Sequence, residues 1–338
     1  MEQTLANTRV LPSNMSTPAG FLALPLPIAQ LSLDAVLRCG QSFRWFAYPL
    51  FSAADSPNFN EPKHEYRFAL QDRVVCLRQS PTHLFYRSIY PDHAKVASQD
   101  LGDTSTLTWI HEYFQLDVDL VKLYSEWSSR DEVFRRTVNA RFTGIRILRQ
   151  DPWENVASWV LTISTPFALL TLFRFICSSN NHISRITKMV LSLCTEFSPP
   201  LVTCSLPSES EGMSPPVTYH AFPPPHKLAH PDVVPRLREL GFGYRAEYIQ
   251  KTAQLLCEAH QDPLAFLGSL RKGNAEEARI ELLKLHGVGP KVADCVLLMS
   301  LDKVRNYLTL THWYSVYFVP AQHRTRRHSR SPDSGEAL

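Results

Sequence analysis

A short glycine-containing turn between two helical patterns, near the C-terminal end of the chain, constrains the fold more than any other feature. The segment reads LHGVGPKVADC from Leu285 onwards. The residues before it, Asn274–Leu285, form an amphipathic helical pattern, and those after it, Val292–Leu301, are apolar enough for a buried helix. Gly287 and Gly289 allow positive φ in the turn and close approach of a phosphate to the backbone. The sequence therefore predicts a helix, a tight turn and a second helix whose start is an anion site.

Lys291 is the residue of this segment best suited to covalent chemistry. It follows Pro290, which fits the first position of a helix because its missing N–H costs no hydrogen bond there. A lysine at a helix N-terminus faces the positive end of the dipole, so its pKa should fall, as an amine nucleophile requires. Cys295 lies one turn further on the same face, where its thiol either packs against a flat base or fills the core. A glycine pair in a turn would by itself indicate an ordinary helical hairpin. The presence of Lys291 beside it favours a catalytic hairpin instead.

Composition excludes several classes of protein. The chain has 338 residues and 44% hydrophobic content, enough to bury one or two sizeable cores. Its net charge of +3 excludes a polycation that binds DNA by bulk charge, so contact with nucleic acid requires a local basic face. The seven cysteines include no C-x2-C pair, which argues against a zinc ribbon or an iron–sulfur loop. Their scatter is typical of a reducing compartment.

The pattern changes along the chain from strands to helices. Strand-like residues run from Leu22 to about Tyr90, and helical spacing dominates after Thr108. The sequence therefore predicts an α+β fold, with a strand-rich N-terminal domain followed by an all-α domain. We place these domains at residues 22–140 and 141–303.

Four segments fall outside this pattern. Residues 1–21 read as a disordered leader, and the Pro- and Ser-rich stretch Phe197–His226 as a surface loop. Residues 304–338 form an atypical tail whose basic, polar end should be disordered. The apolar run Trp159–Arg174 contains Thr, Ser and Pro, and a membrane span would need about 20 mostly apolar residues. We therefore expect no membrane association.

The turn segment resembles the helix-hairpin-helix of the eukaryotic 8-oxoguanine DNA glycosylase family in its order G-V-G-x-K-V-A-D-C. Other stretches agree with the same family, and together they span about residues 22–303. These stretches are Ser32–Trp45, Tyr113–Trp127, Arg149–Pro152, Phe175–Thr187 and Leu240–Tyr248. The resemblance implies a base-excision repair enzyme with glycosylase and AP-lyase activity, built from the two domains predicted above.

The resemblance also implies a role for each site residue. Gly40 matches the glycine whose carbonyl accepts the N7–H found only on the oxidised base, because N7 of normal guanine is itself an acceptor. Lys291 matches the nucleophile, Cys295 the thiol at the base pocket, and the turn glycines the phosphate contact. Four residues match those that hold the orphaned cytosine or fill the gap left in the base stack. They are Asn180, Arg185, Tyr244 and Arg245.

The same resemblance predicts the partners and the chemistry. The expected substrate is damaged double-stranded DNA carrying 8-oxoguanine opposite cytosine, bound by a monomer. The lysine chemistry requires neither a metal nor another cofactor. The expected location is the nucleus, with a mitochondrial fraction left open.

Two departures from the family pattern favour an alternative. After Lys303 the sequence leaves the pattern before the catalytic aspartate, and Asp294 and Asp302 lie too close to Lys291 along the chain to replace it. Trp159–Arg174 reads as an insertion, since its removal would join ENVAS to FICSSNN. We hypothesise that both foreign segments are translated introns. The alternative function is a catalytically impaired DNA-binding fragment or a mis-spliced product.

A glycosylase of the endonuclease III or adenine-removing type is a third interpretation. The absence of a cysteine cluster in the sequence argues against it. The presence of Gly40, Asn180 and the Tyr244–Arg245 pair also favours the 8-oxoguanine family instead.

Overall fold

A five-stranded antiparallel sheet organises the N-terminal half of the protein. The computed structural model describes residues 17–50, 61–91, 104–161, 183–207 and 215–303. The spatial order of the strands is β1-β5-β4-β3-β2, with every neighbouring pair antiparallel. The strands are β1 (Leu22–Pro25), β2 (Phe46–Pro49), β3 (His64–Ala69), β4 (Val74–Gln79) and β5 (His83–Ile89). The predicted strand-rich domain is confirmed.

The sheet is covered on both faces, which explains why its central strand reads as a continuous apolar run. Side chains alternate along β4 because successive residues of a strand point to opposite faces. Val75 and Leu77 pack with helices α1 (Leu33–Leu37) and α2 (Thr104–Tyr113) in one core cluster. Val74 and Cys76 belong to a separate cluster on the other face.

The other face is covered by a segment that sequence patterns predict as a loop. Within Phe197–His226 the structure has two paired strands, β6 (Pro200–Cys204) and β7 (Val217–His220), followed by the short helix α7 (Pro225–Leu228). Tyr219 is buried and its hydroxyl lies 2.9 Å from that of Tyr48, so β7 is joined to the first sheet. The loop prediction is wrong for these residues because packing against the apolar face of the sheet stabilises strands that their own Pro-rich flanks disfavour.

Helices make up the rest of the described chain. They bury one large apolar cluster, and its residues come from most of the helices between Trp153 and Leu301. The helices are α3 (Leu120–Arg130), α4 (Glu132–Arg141), α5 (Pro152–Val160), α6 (Ile183–Phe197), α8 (Val233–Glu239), α9 (Arg245–Ala259), α10 (Pro263–Ser269), α11 (Ala275–Leu283) and α12 (Pro290–Ser300). No helix in the described ranges is long and apolar enough to cross a membrane.

The first residues of the predicted insertion belong to the folded core. Helix α5 begins at Pro152, capped by Asp151, and its apolar pattern continues without a break through Trp159 and Val160. Trp159, Val160 and Leu161 are all buried. Removing Trp159–Arg174 would therefore require other side chains to fill these core positions, and the rest of that segment lies outside the described residues.

The predicted leader and tail are described only in part. Phe21, the last residue of the predicted leader, is buried, and its ring lies under the guanidinium groups of Arg78 and Arg87. The disorder prediction is therefore wrong at Phe21. Residues 1–16 and the predicted tail 304–338 lie outside the described residues.

A buried ion pair joins the sheet domain to the helical domain. Arg44, which precedes β2, donates two hydrogen bonds to Glu154 of α5, at 2.9 and 2.7 Å, and a third to the carbonyl of Ala69. Both charged side chains are almost fully buried. Burial disfavours the charge of Arg44, but pairing with Glu154 outweighs it and raises the guanidinium pKa. Removing either side chain would leave the charge of the other buried without its partner.

We predict that Glu154→Gln lowers the free energy of unfolding by about 3–5 kcal/mol, since it leaves the buried guanidinium uncompensated. Urea denaturation measures the change. The control is Glu196→Gln, which breaks the exposed pair with Arg236 and should change the free energy by less than about 1 kcal/mol. Equal changes in the free energy of unfolding would show that the buried pair contributes no more to stability than the exposed pair.

Candidate active site

The predicted helix, turn and helix are confirmed at residues 275–300. Asn274 caps α11 by accepting a hydrogen bond from the backbone N–H of Glu277 at 2.8 Å. Pro290 occupies the first turn of α12, as expected, and Gly289 is the residue at its N-cap. The turn between the two helices brings Lys291 to the beginning of α12.

The two turn glycines have different roles. Gly287 has φ +76°, and a Cβ there would lie 2.9 Å from Cγ of Tyr248. Glycine is therefore required both by the backbone conformation and by the close approach of the ring. Gly289 has φ −85°, so the expectation of positive φ is wrong there, because an N-cap residue uses extended backbone. A Cβ on Gly289 would meet no atom within 4 Å among the described residues, so this side of the turn is accessible to a phosphate.

Lys291 combines a helix N-terminal position with burial. Burial lowers the pKa of its amine to about 8, and the nearby Cys295 acts in the opposite direction. The prediction of a lowered pKa is thus confirmed, but desolvation is the main cause rather than the helix dipole. Burial also raises the pKa of the Cys295 thiol to about 12, although Lys291 opposes this. Near pH 8 the Lys291 amine is therefore about half protonated, and the Cys295 thiol beside it is neutral.

The ring of Trp159 covers one side of the amine. Lys291 Nζ lies 5.8 Å from the Trp159 ring centroid, within cation–π range. Sequence patterns assigned Trp159 to the insertion and gave it no role. The contact could not be read from spacing, because these two residues meet only through the packing of α5 against α12.

The acidic residues of and just after α12 are engaged away from the lysine. Asp294 pairs with Arg279 of α11 at 2.9 Å. Asp302 lies beyond the opposite end of α12 from Lys291 and pairs with Arg149 at 3.0 Å. The expectation that neither replaces the missing aspartate agrees with these contacts.

Two arginines from different helices converge at the start of α9. Arg245 is the first residue of α9 and is buried, and its guanidinium lies 4.8 Å from the ring centroid of Tyr244. Burial lowers the pKa of Arg245; Tyr244 opposes this, and the positive charge of Arg185, in the first turn of α6, adds to the lowering. Two mutually repelling guanidinium groups form a site that an acceptor-bearing ligand would stabilise.

Gly40 lies against the helix that carries Arg185. It has φ +84°, and a Cβ there would lie 3.0 Å from Cδ1 of Ile183, the first residue of α6. The loop of Gly40 is also tied to the later chain, because the Gln41 side chain bonds the backbone of Arg146 and Leu148. Asn180 lies outside the described residues.

Helix α9 supplies two contacts that sequence patterns did not predict. Tyr248 packs against Gly287, and Thr252 donates a hydrogen bond to the carbonyl of His286 at 2.7 Å. With Tyr244 these residues are spaced four apart, so they share one face of the helix. That spacing was the available signal, but only the tertiary structure identifies what the face contacts.

The chain matches two family descriptions. Residues 23–156 match the N-terminal domain of 8-oxoguanine DNA glycosylase, and residues 173–315 match the HhH-GPD superfamily of base-excision DNA repair proteins. The second match extends past Lys303, and the interval between the two lies largely within the predicted insertion.

Curated relatives and a solved structure agree with these matches. The chain is 37% identical to the N-glycosylase/DNA lyase of Saccharomyces cerevisiae over 83% of its own length and 66% of the relative. It is 30% identical to the N-glycosylase/DNA lyase OGG1 of Arabidopsis thaliana, over 90% of its own length and 70% of the relative. A solved complex of MBOgg1 with a low-affinity DNA ligand aligns with a TM-score of 0.59 and 25% identity, covering 90% of this chain and 85% of that one.

We predict that Lys291 titrates near pH 8, well below an ordinary lysine at about 10.4. As pH rises through this value the amine loses its proton and becomes nucleophilic, so any imine formation should rise over the same interval. The measurement is a ¹³C NMR titration of reductively methylated protein, with the Lys291 signal assigned by its loss in Lys291→Gln. Titration of this signal together with the exposed lysines would contradict the prediction.

Proposed function

Because this chain belongs to the 8-oxoguanine DNA glycosylase family of the HhH-GPD superfamily, we propose that it excises 8-oxoguanine opposite cytosine and then cleaves the DNA strand, with Lys291 as the nucleophile. The observation that carries the proposal is the partly buried amine at the start of α12, which lies beside Trp159 and whose pKa is about 8. At pH 7.5 such an amine is neutral in roughly a quarter of molecules, against about one in a thousand for an ordinary lysine.

The proposed chemistry begins with extrusion of the damaged nucleotide, since its sugar carbon is inaccessible within the duplex. The neutral Lys291 nitrogen forms a bond to C1′ as the bond from C1′ to the base breaks, and the base leaves with a proton. The C1′–O4′ bond then breaks as the C1′–N double bond forms, and the proton on nitrogen passes to O4′, which gives an imine and an open sugar with a hydroxyl. The imine acidifies the C2′ proton, and its removal expels the 3′ phosphate by β-elimination. One amine thus serves both glycosylase and lyase steps.

Recognition of the lesion is assigned to Gly40. Its carbonyl would accept the N7–H of the oxidised base, which normal guanine lacks. Cys295 would contact the flat base, and its high pKa keeps the thiol uncharged beside it. Support for this assignment comes from the family match over residues 23–156 and from the buried position of Gly40 against α6.

Recognition of the opposite base is assigned to the arginine pair. Cytosine presents acceptors at O2 and N3, and the guanidinium groups of Arg185 and Arg245, which lie close enough to affect each other electrostatically, are suitable donors. Tyr244, whose ring centroid lies 4.8 Å from the guanidinium of Arg245, is suited to fill the gap left in the base stack.

A second candidate function is DNA binding without excision. It is favoured by the engagement of Asp294 and Asp302 elsewhere, because neither is placed to help deprotonate Lys291. A lost general base commonly reduces rates by about 10²–10⁴-fold. Against this stands the low pKa of Lys291, which supplies neutral amine without a separate base.

We predict a covalent adduct when borohydride is added to the protein and a duplex with 8-oxoguanine opposite cytosine. Lys291→Gln should abolish the adduct and leave binding of the duplex nearly unchanged, since the turn contacts phosphate through its backbone. The matched control is Lys284→Gln in the same hairpin, an exposed lysine paired with Glu281. Binding without an adduct in the unaltered chain would favour the second candidate, and an adduct that survives Lys291→Gln would identify a different nucleophile.

We further predict that Arg185→Ala or Arg245→Ala relaxes the preference for cytosine opposite the lesion by about 1–3 kcal/mol. Fluorescence anisotropy on duplexes with each of the four opposite bases measures this preference. Arg238→Ala, an exposed arginine on α8, is the control and should weaken all pairings equally or none. A uniform loss in the first two variants would mean that these arginines contact phosphate instead.

A further inference from the structure

Helix α9 connects the arginine pair to the catalytic hairpin along a single face. Tyr244 and Arg245 lie at its first turn, Tyr248 lies one turn later and Thr252 two turns later. The rings of Tyr244 and Tyr248 contact edge to face, with centroids 5.7 Å apart. Direct contacts therefore lead from Arg245 through Tyr244 and Tyr248 to the turn before Lys291.

The contact between α9 and the turn is close. Tyr248 packs directly on the backbone at Gly287, where a Cβ would come within 3.0 Å of three of its ring and side-chain atoms. Thr252 holds the preceding carbonyl, that of His286, at 2.7 Å. A displacement of α9 would thus move the turn, and with it the start of α12.

The adjoining face of α9 anchors it in the core. Ile249, Ala253 and Leu256 are almost fully buried in the main apolar cluster. Closely packed interiors transmit displacements instead of absorbing them. The helix is consequently a rigid connector rather than a surface element with adjustable position.

We propose that Tyr248 is a positioning residue that couples the identity of the opposite base to the placement of Lys291. This rests on the proposed function, because it takes Arg185 and Arg245 as the readers of that base. Binding of cytosine by the two arginines fixes the position of the first turn of α9. Because Tyr248 packs on Gly287, the position of α9 then determines the position of the turn. A wrong opposite base would then leave the amine displaced, and displacement by about 1 Å can slow a reaction about 100-fold.

The decisive experiment monitors Lys291 directly, so it does not depend on turnover. Methylated protein is mixed with a duplex carrying a tetrahydrofuran abasic analogue opposite either cytosine or adenine, and the ¹³C signal of Lys291 is recorded at saturation. In the unaltered chain the two duplexes should give different signals. In Tyr248→Leu the two signals should coincide, whereas Tyr248→Phe, which keeps the ring, should behave as the unaltered chain.

A matched control separates positioning from stability. Ile249→Ala, at the neighbouring core position, should lower the melting temperature at least as much as Tyr248→Leu but preserve the difference between the two duplexes. Identical Lys291 signals in the unaltered chain, or a difference retained in Tyr248→Leu, would overturn the coupling.

Borohydride trapping on 8-oxoguanine duplexes tests the same coupling in the reaction. Tyr248→Leu should slow adduct formation opposite cytosine by about 10- to 100-fold, with an unchanged dissociation constant, and reduce the ratio of rates between cytosine and adenine. No adduct in the unaltered chain would contradict the proposed chemistry alone, since the NMR comparison still decides the coupling.

Discussion

The position of helix α12 depends on contacts at both of its ends, and the candidate site depends on that position. At the start, Tyr248 and Thr252 hold the turn before Lys291. At the far end, where helix carbonyls lack partners within the helix, Arg271 donates two hydrogen bonds to the carbonyl of Ser300. The Asn155 side chain bonds the hydroxyl of the same serine at 2.6 Å. A reactive side chain on a helix with both ends fixed keeps its position while a large ligand binds.

The burial that accompanies this fixed position also tunes the chemistry. An amine enclosed by Trp159 and the core loses hydration, so its charged form is disfavoured and its pKa falls. The same environment raises the pKa of Cys295. Near neutral pH the thiol is thus uncharged, and the amine is neutral in a larger fraction of molecules than an ordinary lysine would be. Core packing and the lowered pKa have a common cause here, and a substitution that loosened the packing would raise the pKa of Lys291 towards that of an ordinary lysine.

Much of the hairpin was predictable because its determinants are local. Gly287 permits the left-handed backbone of the turn, Pro290 suits the first turn of a helix, and the apolar spacing on either side specifies helices. The strands β6 and β7 were not predictable, since their flanks contain proline and serine and their pairing relies on the sheet beneath Tyr219. Trp159 was assigned to an insertion because removing Trp159–Arg174 would restore the family pattern, and its contact with Lys291 was not predictable because the two residues are far apart in the sequence.

The sequence by itself determined the α+β order and the helix-hairpin-helix and identified Lys291 as the candidate nucleophile, because each follows from short-range periodicity, turn chemistry and a family pattern. The tertiary structure decided which residues share the site. It brought Arg185 of α6 beside Arg245 of α9, placed Trp159 against the amine, and engaged Asp294 and Asp302 elsewhere. These relations join residues far apart along the chain. Their physical origin is the packing of helices whose mutual positions no local pattern specifies.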